Sequence, residues 1–140
     1  MYLSIIKTLE KHLIKPTPMR MLVLEQLLVQ DRNLSLAEIE EFLYPADRIT
    51  IYRTLQTFVK KGLAHIIETA GNKQIYALCS SECVPGIHHD RHPHFHCLKC
   101  GKVTCTPDFD YSIHPTSDAV YTIKKVEVNM QGICPDCNRA

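Results

Sequence analysis

The sequence lacks any long apolar segment. No run of about 18 apolar residues, the minimum for a membrane-spanning helix, occurs in the chain. Residues 1–15 also lack the basic start and apolar block of a signal peptide, because their charges are spaced as on an amphipathic helix. With 140 residues, 45% of them hydrophobic and 22% charged, the chain is expected to be a cytoplasmic globular protein of one domain or two small ones.

Two further absences bear on function. The sequence has no H-x-E motif, whose Glu would be the general base of a zinc hydrolase or deaminase, and we therefore expect no enzyme activity. Acidic residues are missing from residues 48–61, where four cations lie: Arg48, Arg53, Lys60 and Lys61. Although the net charge is only +1, this stretch could face phosphates; a solvated helix face would give the same pattern.

Cysteine and histidine are concentrated in residues 79–105, which hold five of the seven cysteines and five of the eight histidines. Cys97 and Cys100 form a C-x-x-C pair there, and Cys134 and Cys137 form a second. Two such pairs predict a tetrahedral, structural four-cysteine Zn2+ site. The odd number of cysteines argues against a secreted disulfide scaffold. A redox-active C-x-x-C pair is the alternative, but it needs a strand before and a helix after the motif, and we predict neither.

A surplus of ligand-type residues remains in the same region. Its members are Cys79, Cys83, His88, His89, His92, His94, His96 and Cys105. Any one histidine could be an ordinary hydrogen-bonded imidazole, but the cluster as a whole indicates a second metal site. Imidazole and thiolate favour Zn2+, whereas a site richer in carboxylate would suit Fe2+ or Mn2+ better.

The first half of the chain predicts a winged helix, in which a helix-turn-helix is followed by a β-hairpin. Four helices are expected. The first covers residues 3–14, with Leu3, Ile6, Leu9, Leu13 and Ile14 at helical spacing, and the second covers residues 19–30, after a Thr17 cap and Pro18. The third follows the Ser35–Glu38 capping box, and the fourth is capped by Thr50 or Asp47 and ends at Lys61, before Gly62. Extended runs at residues 63–69 and 73–78 flank a turn at residues 70–72. We therefore expect an α+β fold whose first domain spans residues 1–78.

The second half predicts a smaller domain. Residues 79–92 have no periodicity and are interpreted as a hinge and linker that carries metal ligands. From His92 the chain alternates, which places His92, His94 and His96 on one face of a strand. Further strands are expected at residues 102–105 and within residues 120–130. Residues 93–140 are thus predicted to form a zinc-clipped α/β or β domain, to which the resemblance given below assigns dimerisation.

The fourth helix opens with Thr50-Ile51-Tyr52-Arg53, where a recognition helix meets DNA. Tyr52 could pack on a thymine methyl group, and Arg53 could reach a guanine or a phosphate. Ordinary helix residues would give the same local sequence, but its position in a winged helix favours a DNA contact.

With these features in place, the chain resembles the ferric uptake regulator (Fur) family of bacterial metal-responsive repressors. The matching residues are Lys15-x-Thr17-x-x-Arg20, Thr50-Ile51-Tyr52-Arg53-Thr54-Leu55 with Gly62-Leu63, the His-rich run, Cys97-x-x-Cys100-Gly101-Lys102-Val103, and Cys134-x-x-Cys137. The resemblance implies a homodimer on double-stranded operator DNA, with metal near the hinge repositioning the DNA-binding domains. It implies DNA contacts by these motif residues, among them Lys15, Thr17, Arg20, Thr50 and Thr54, with Lys15 in the minor groove.

The departures from the family pattern bear on the metal. Asn33 and Ala77 occupy the positions of a histidine and a glutamate that iron-sensing members use, whereas Cys79 resembles zinc-sensing (Zur) members. We expect a regulatory site drawn from Cys79, His89, His92 and His94, with Glu68 or Cys105 as further candidates. The stretch of residues 107–121 is shorter than usual and lacks the family's dimerisation-domain helix. The expected function is a zinc-responsive repressor of metal-homeostasis genes; the alternatives are an iron- or peroxide-responsive member and a structural zinc adaptor without DNA binding.

Overall fold

The fold is α+β and divides into two compact units, Met1–Asp90 and Arg91–Ala140. The computed structural model describes residues 1–30, 32–69, 72–78, 93–105, 120, 122 and 128–139. Its elements are α1 (Tyr2–Lys11), α2 (Pro18–Val29), β1 (Leu34–Ser35), α3 (Leu36–Phe42), α4 (Arg48–Lys60), β2 (Ala64–Glu68), β3 (Gln74–Leu78), β4 (His94–Cys97), β5 (Val103–Cys105), β6 (Asn129–Gly132) and α5 (Pro135–Arg139). The predicted hinge, residues 79–92, lies outside the described residues. The predicted domain boundaries stay predictions. Among the helices described, none has the length and apolar character that crossing a bilayer would take.

The first unit is a winged helix with its core between the helices and a three-stranded sheet. The sheet has the order β1-β3-β2, and all its pairings are antiparallel. Its buried core is Ile5, Leu9, Ile14, Val23, Leu24, Leu27, Leu34, Ile39, Ile51, Leu55, Phe58, Leu63, Ala64 and Tyr76. The predicted hairpin is confirmed, and Asn72 in its turn has the expected positive φ of 61°. Strand β1 was not predicted, because its two residues are too few to show alternation.

Side-chain caps start the helices where the sequence predicts them. Thr17 Oγ1 accepts a hydrogen bond from the Arg20 backbone N–H at 3.3 Å, with Pro18 as the first residue of α2. Asp47 rather than Thr50 caps α4, because Asp47 Oδ2 accepts the Thr50 N–H at 3.1 Å. The N-terminal N–H groups that a helix leaves without partners are thereby satisfied in part.

The predicted capping box of α3 is present in full. The Glu38 N–H donates to Ser35 Oγ at 3.2 Å, and the Ser35 N–H donates back to Glu38 Oε1 at 3.2 Å. Arg32 forms an ion pair with Glu38 as well. Burial alone would raise the pKa of Glu38, but the Ser35 hydrogen bonds and the charge of Arg32 outweigh it and lower the pKa. Glu38 is therefore held as a carboxylate at the start of α3.

The predicted apolar stripe of α1 is only partly correct. Ile5 and Leu9 are buried, while Leu3 and Leu13 are each 71% exposed. The helix ends at Lys11, three residues before the predicted end at residue 14, and Leu13 has a φ of 59°. Leu13 therefore leaves the helical path, and Leu3 lies on the solvent side of the first turn.

The second unit is a small sheet of order β5-β4-β6. Strand β4 pairs antiparallel with β5 and parallel with β6. His94 and His96 share one face, as predicted, whereas His92 lies outside the described residues. Strand β6 covers Asn129–Gly132 and is followed by α5, whereas most of residues 120–130, where a strand was expected, lies outside the described residues. The expectation of no strand before and no helix after a C-x-x-C motif is therefore wrong for Cys134–Cys137.

Replacing Ser35 by alanine is expected to destabilise the first unit by about 1 kcal/mol, because the box loses its cap. Thermal unfolding followed by circular dichroism measures the change. Thr57→Ala is the matched control, since Thr57 Oγ1 donates only to the Arg53 carbonyl within α4, at 3.0 Å and exposed. Equal melting temperatures for the Ser35 variant and the control would contradict the role of the box.

Candidate nucleic-acid interface and metal centres

Helix α4 presents one face to the core and the opposite face to solvent. Ile51, Leu55 and Phe58 are fully buried, as predicted. The side chains of Tyr52 and Arg53 are consequently exposed, and Tyr52 is 45% accessible. The outer face of α4 therefore offers an aromatic ring and a guanidinium in a stretch that has no acidic residue.

A buried tyrosine of the wing fixes the orientation of α4. Tyr76 on β3 is 1% exposed, and its side chain is hydrogen bonded to Gln56 of α4. Burial, and secondarily the nearby Tyr52, raises the pKa of Tyr76, so its hydroxyl stays protonated. Sequence analysis missed this contact; the only signal was a tyrosine within a strand of buried residues.

Of the two α4 threonines predicted to contact DNA, only Thr50 faces outward. Thr54 is 6% exposed, and its Oγ1 donates to the Thr50 carbonyl at 2.9 Å. The predicted DNA contact by Thr54 is therefore wrong for its side chain, which belongs to the buried face. Thr50 is exposed, and its Oγ1 donates to Asp47 Oδ2 at 2.9 Å. This bond is the main reason why the pKa of Asp47 is lowered.

A hydrogen bond from Arg20 of α2 holds the segment that precedes this helix. Lys15 is exposed, and Arg20 Nη1 donates to the Lys15 carbonyl at 2.8 Å. Thr17 is occupied as the α2 cap. Of the three residues predicted here as DNA contacts, Lys15 has the freest side chain, while Arg20 and Thr17 shape the backbone around it.

The four cysteines of the two C-x-x-C pairs lie together at one end of the second sheet. Because β4 and β6 are parallel, with Cys97 opposite Gly132, the two strands deliver their motifs to the same edge. Gly101, with a φ of 78°, allows the turn after the first motif. The ligand atoms of Cys97, Cys100, Cys134 and Cys137 all lie within 4.8 Å of one another.

The sulfur distances match a tetrahedral zinc site. Cys97 Sγ lies 3.8 Å from Cys137 Sγ, and Cys100 Sγ lies 3.9 Å from Cys134 Sγ. A tetrahedron of four Zn–S bonds of about 2.3 Å has edges of about 3.8 Å. A disulfide would need about 2.05 Å. The four cysteines therefore fit a Zn2+ ion. Although a strand precedes and a helix follows Cys134–Cys137, the sulfur distances favour a metal site over a redox pair.

Hydrogen bonds prepare Cys97 for a cation. The backbone N–H groups of Cys100 and Cys134 point at Cys97 Sγ, at 3.5 and 3.4 Å, and lower the pKa of Cys97 to about 6. The pKa of Cys137 is raised to about 12, first by its hydrogen bond with Cys134 and then by burial. Without a cation the cluster thus holds a thiolate at Cys97 but resists ionisation at Cys137.

A thiol and an imidazole form a second pair on the other side of β4. His94 lies directly opposite Cys105 on β5, and their ligand atoms are within 4.8 Å of each other. His96 is on the same face, and its buried Nδ1 has no hydrogen-bond partner among the residues that the structure describes. The structure therefore brings together two of the predicted regulatory residues; Cys79, His89 and His92 lie outside the described residues.

The strand register of the first unit's hairpin bears on Glu68, one of the candidates for the regulatory metal site. Glu68 pairs with Gln74 at the turn end of the hairpin, whereas Ala64 pairs with Leu78, next to Cys79, at the other end. Four residues of strand separate Glu68 from Ala64, about 13 Å. Glu68 therefore lies at the end of the hairpin away from Leu78, and its role as a metal ligand stays a prediction.

His65 is a candidate that sequence analysis missed. It is 9% exposed on β2 and lies directly opposite Ala77, the position where iron-sensing members carry a glutamate. The signal available in the sequence was a histidine within an apolar run, which is weak because such a residue is often only structural.

The fold is shared with several solved metal regulators. The ferric uptake regulator of Vibrio cholerae is 22% identical, with a TM-score of 0.61 over 92% of this chain and 98% of that one. The Helicobacter pylori ferric uptake regulator is 18% identical, with 0.61 over 100% and 95%, and holo XcZur is 18% identical, with 0.67 over 99% and 97%. No curated protein sequence matches the chain. The model of the ferric uptake regulator family matches residues 11–133. These residues are most of the chain, which therefore belongs to the ferric uptake regulator family.

Proposed function

We propose that this protein is a cytoplasmic, homodimeric repressor of metal-homeostasis genes that binds operator DNA when it has bound a divalent metal ion, with Zn2+ as the favoured effector. The observation that carries the proposal is α4, whose inner face is buried and whose outer face exposes Tyr52 and Arg53. Membership of the family supports the same conclusion.

Helix α4 is suited to the major groove of DNA, where recognition helices of this kind lie. Arg53 would contact a guanine edge or a phosphate, and Tyr52 would pack on a thymine methyl group. The Tyr76–Gln56 hydrogen bond keeps α4 in one orientation on the sheet. A rigid α4 loses little conformational freedom when it binds, which favours affinity.

The four-cysteine cluster would hold a permanent Zn2+ ion. When bound, the ion supplies positive charge to thiolates that otherwise repel one another, and it ties the two C-x-x-C motifs together. Within the part of this unit that the structure describes, few side chains are buried, so such a tie would stabilise it. We therefore assign the ion a structural role.

The regulatory metal would be held by His94 and Cys105, with Cys79, His89 and His92 as further candidates. Thiolate and imidazole suit Zn2+ better than Fe2+ or Mn2+, and Ala77 in place of a glutamate points the same way. A bound ion favours whichever conformation binds it more tightly, so DNA binding rises if that conformation is the one that fits DNA.

The proposal predicts that DNA binding depends on a bound metal ion and on a contact made by Arg53. Duplexes selected from a random-sequence library are titrated by fluorescence anisotropy with protein that retains only its structural metal, and Zn2+, Fe2+ or Mn2+ is added at controlled free concentrations. We expect Zn2+ to activate at its normal cellular level, and Arg53→Ala to weaken binding and lower the salt slope by about one.

Arg139→Ala, the same chemical change on exposed α5 of the second unit, is the matched control and should bind as the parent does. Activation by Fe2+ at a lower concentration relative to its cellular level would replace the zinc assignment by an iron sensor. Loss of DNA binding only after peroxide treatment would indicate a peroxide sensor. A protein that selects no duplex with any metal would be an adaptor instead.

The structural site predicts one tightly held zinc ion per chain. Cys137→Ser should lose it and lower the melting temperature, while Cys105→Ser should keep it, as measured by elemental analysis of dialysed protein. Zinc uptake at pH 7 should release fewer than four protons, because the pKa of about 6 makes Cys97 a thiolate beforehand. Full zinc content in Cys137→Ser would contradict the site.

Variants of the regulatory ligands should separate sensing from folding. His94→Ala and Cys105→Ser should each keep the structural zinc yet need at least about tenfold more free Zn2+ to activate DNA binding, the range seen when metal sites are weakened. Thr104→Ala, the β5 residue next to Cys105, is the control. Parental activation in both ligand variants would exclude this site.

A further inference from the structure

Leu13 adopts a backbone conformation that does not suit its side chain. Its φ of 59° lies in the left-handed region that favours glycine. Leu13 N–H donates to the Glu10 carbonyl at 3.0 Å, and Ile14 N–H donates to the Leu9 carbonyl at 2.9 Å. This is the Schellman pattern of a helix end, in which the left-handed residue is usually glycine.

The leucine side chain at position 13 does not stabilise the fold. Its side chain is 71% exposed, while the apolar contact that accompanies such a helix end is made by Leu9 and Ile14, which are 0% and 2% exposed. A branched side chain in the left-handed region destabilises the folded state relative to glycine. The side chain of Leu13 is therefore better explained by a contact outside the chain.

The surroundings of Leu13 indicate the chemistry of that partner. Residues 11–24 contain Lys11, Lys15 and Arg20 and no Asp or Glu. Lys15 is exposed, and its backbone is fixed by the hydrogen bond from Arg20. Buried Ile14 anchors the chain between the two exposed side chains of Leu13 and Lys15. A cationic and an apolar side chain on a fixed stretch of backbone suit a polyanion with an apolar wall.

The minor groove of DNA has this combination, because phosphates line its edges and proteins insert leucine and similar apolar side chains into it. We propose that Leu13 is a DNA-contacting residue that packs against the minor-groove wall of the operator beside Lys15. The inference rests on the proposed DNA-binding function and adds an apolar contact to it. Leucine in place of glycine at the helix end then serves binding at the expense of stability.

Leu13→Ala tests the contact in full-length, metal-loaded protein. The probe is a duplex selected from a random-sequence library with the parent protein, and anisotropy titrations are run over a range of salt concentrations. We expect a dissociation constant about tenfold higher, from the loss of a buried apolar side chain. The salt slope should stay unchanged because no phosphate contact is lost, whereas Lys15→Ala should lower it by about one.

Two further variants separate binding from folding. Leu13→Gly should melt a few degrees higher than the parent, about 2–4 °C, and yet bind DNA as weakly as Leu13→Ala. Leu13→Met keeps an apolar side chain of similar volume and should restore parental affinity.

Parental affinity in Leu13→Ala overturns the inference. So does a fall of its salt slope like that of Lys15→Ala, because Leu13 would then act only by positioning Lys15. If the parent itself selects no duplex with any metal, the proposed function fails instead, and the two failures are thereby distinguished.

Discussion

The second unit depends on the repulsion among four sulfur atoms and on the cation that would relieve it. The cysteine ligand atoms lie within 4.8 Å of one another, and the hydrogen bonds that favour a thiolate at Cys97 do not extend to Cys137. Because β4 and β6 are parallel, their ends cannot be joined by a short turn, and the C-x-x-C motifs join them instead. An ion bound by the four cysteines would therefore tie the two strand ends together.

The first unit is organised by burial rather than by charge. The inner side chains of α4 and Tyr76 of the wing are buried in one core, and the residues proposed to read DNA are what this burial leaves outside. Exposure of Tyr52 and Arg53 is thus a direct result of the burial of Ile51 and Leu55, their helical neighbours. The surface that would meet DNA is as rigid as the core beneath it.

Much of this could be predicted from the sequence because it depends on local chemistry. The caps at Thr17 and Ser35 and the grouping of the cysteines into pairs are encoded within a few residues. What failed depends on distant partners. The sequence does not show that β1 pairs with β3, that Thr54 faces the core, or that His65 lies opposite Ala77. Nor does it show that Glu68 lies at the turn end of the hairpin, because strand register, rather than residue type, decides which residues meet.

Strand β4 carries residues of both candidate metal centres. Cys97 ends the strand, and His94 lies three residues earlier, opposite Cys105. The register that places His94 beside Cys105 is thus maintained by a strand whose end is fixed by the cysteine cluster. If the cluster and the pair of His94 and Cys105 hold ions as proposed, the second site would depend on a strand that the first one fixes. Removal of the ion proposed for the cluster would then be expected to weaken binding at the other site, so the cluster would have to be filled first.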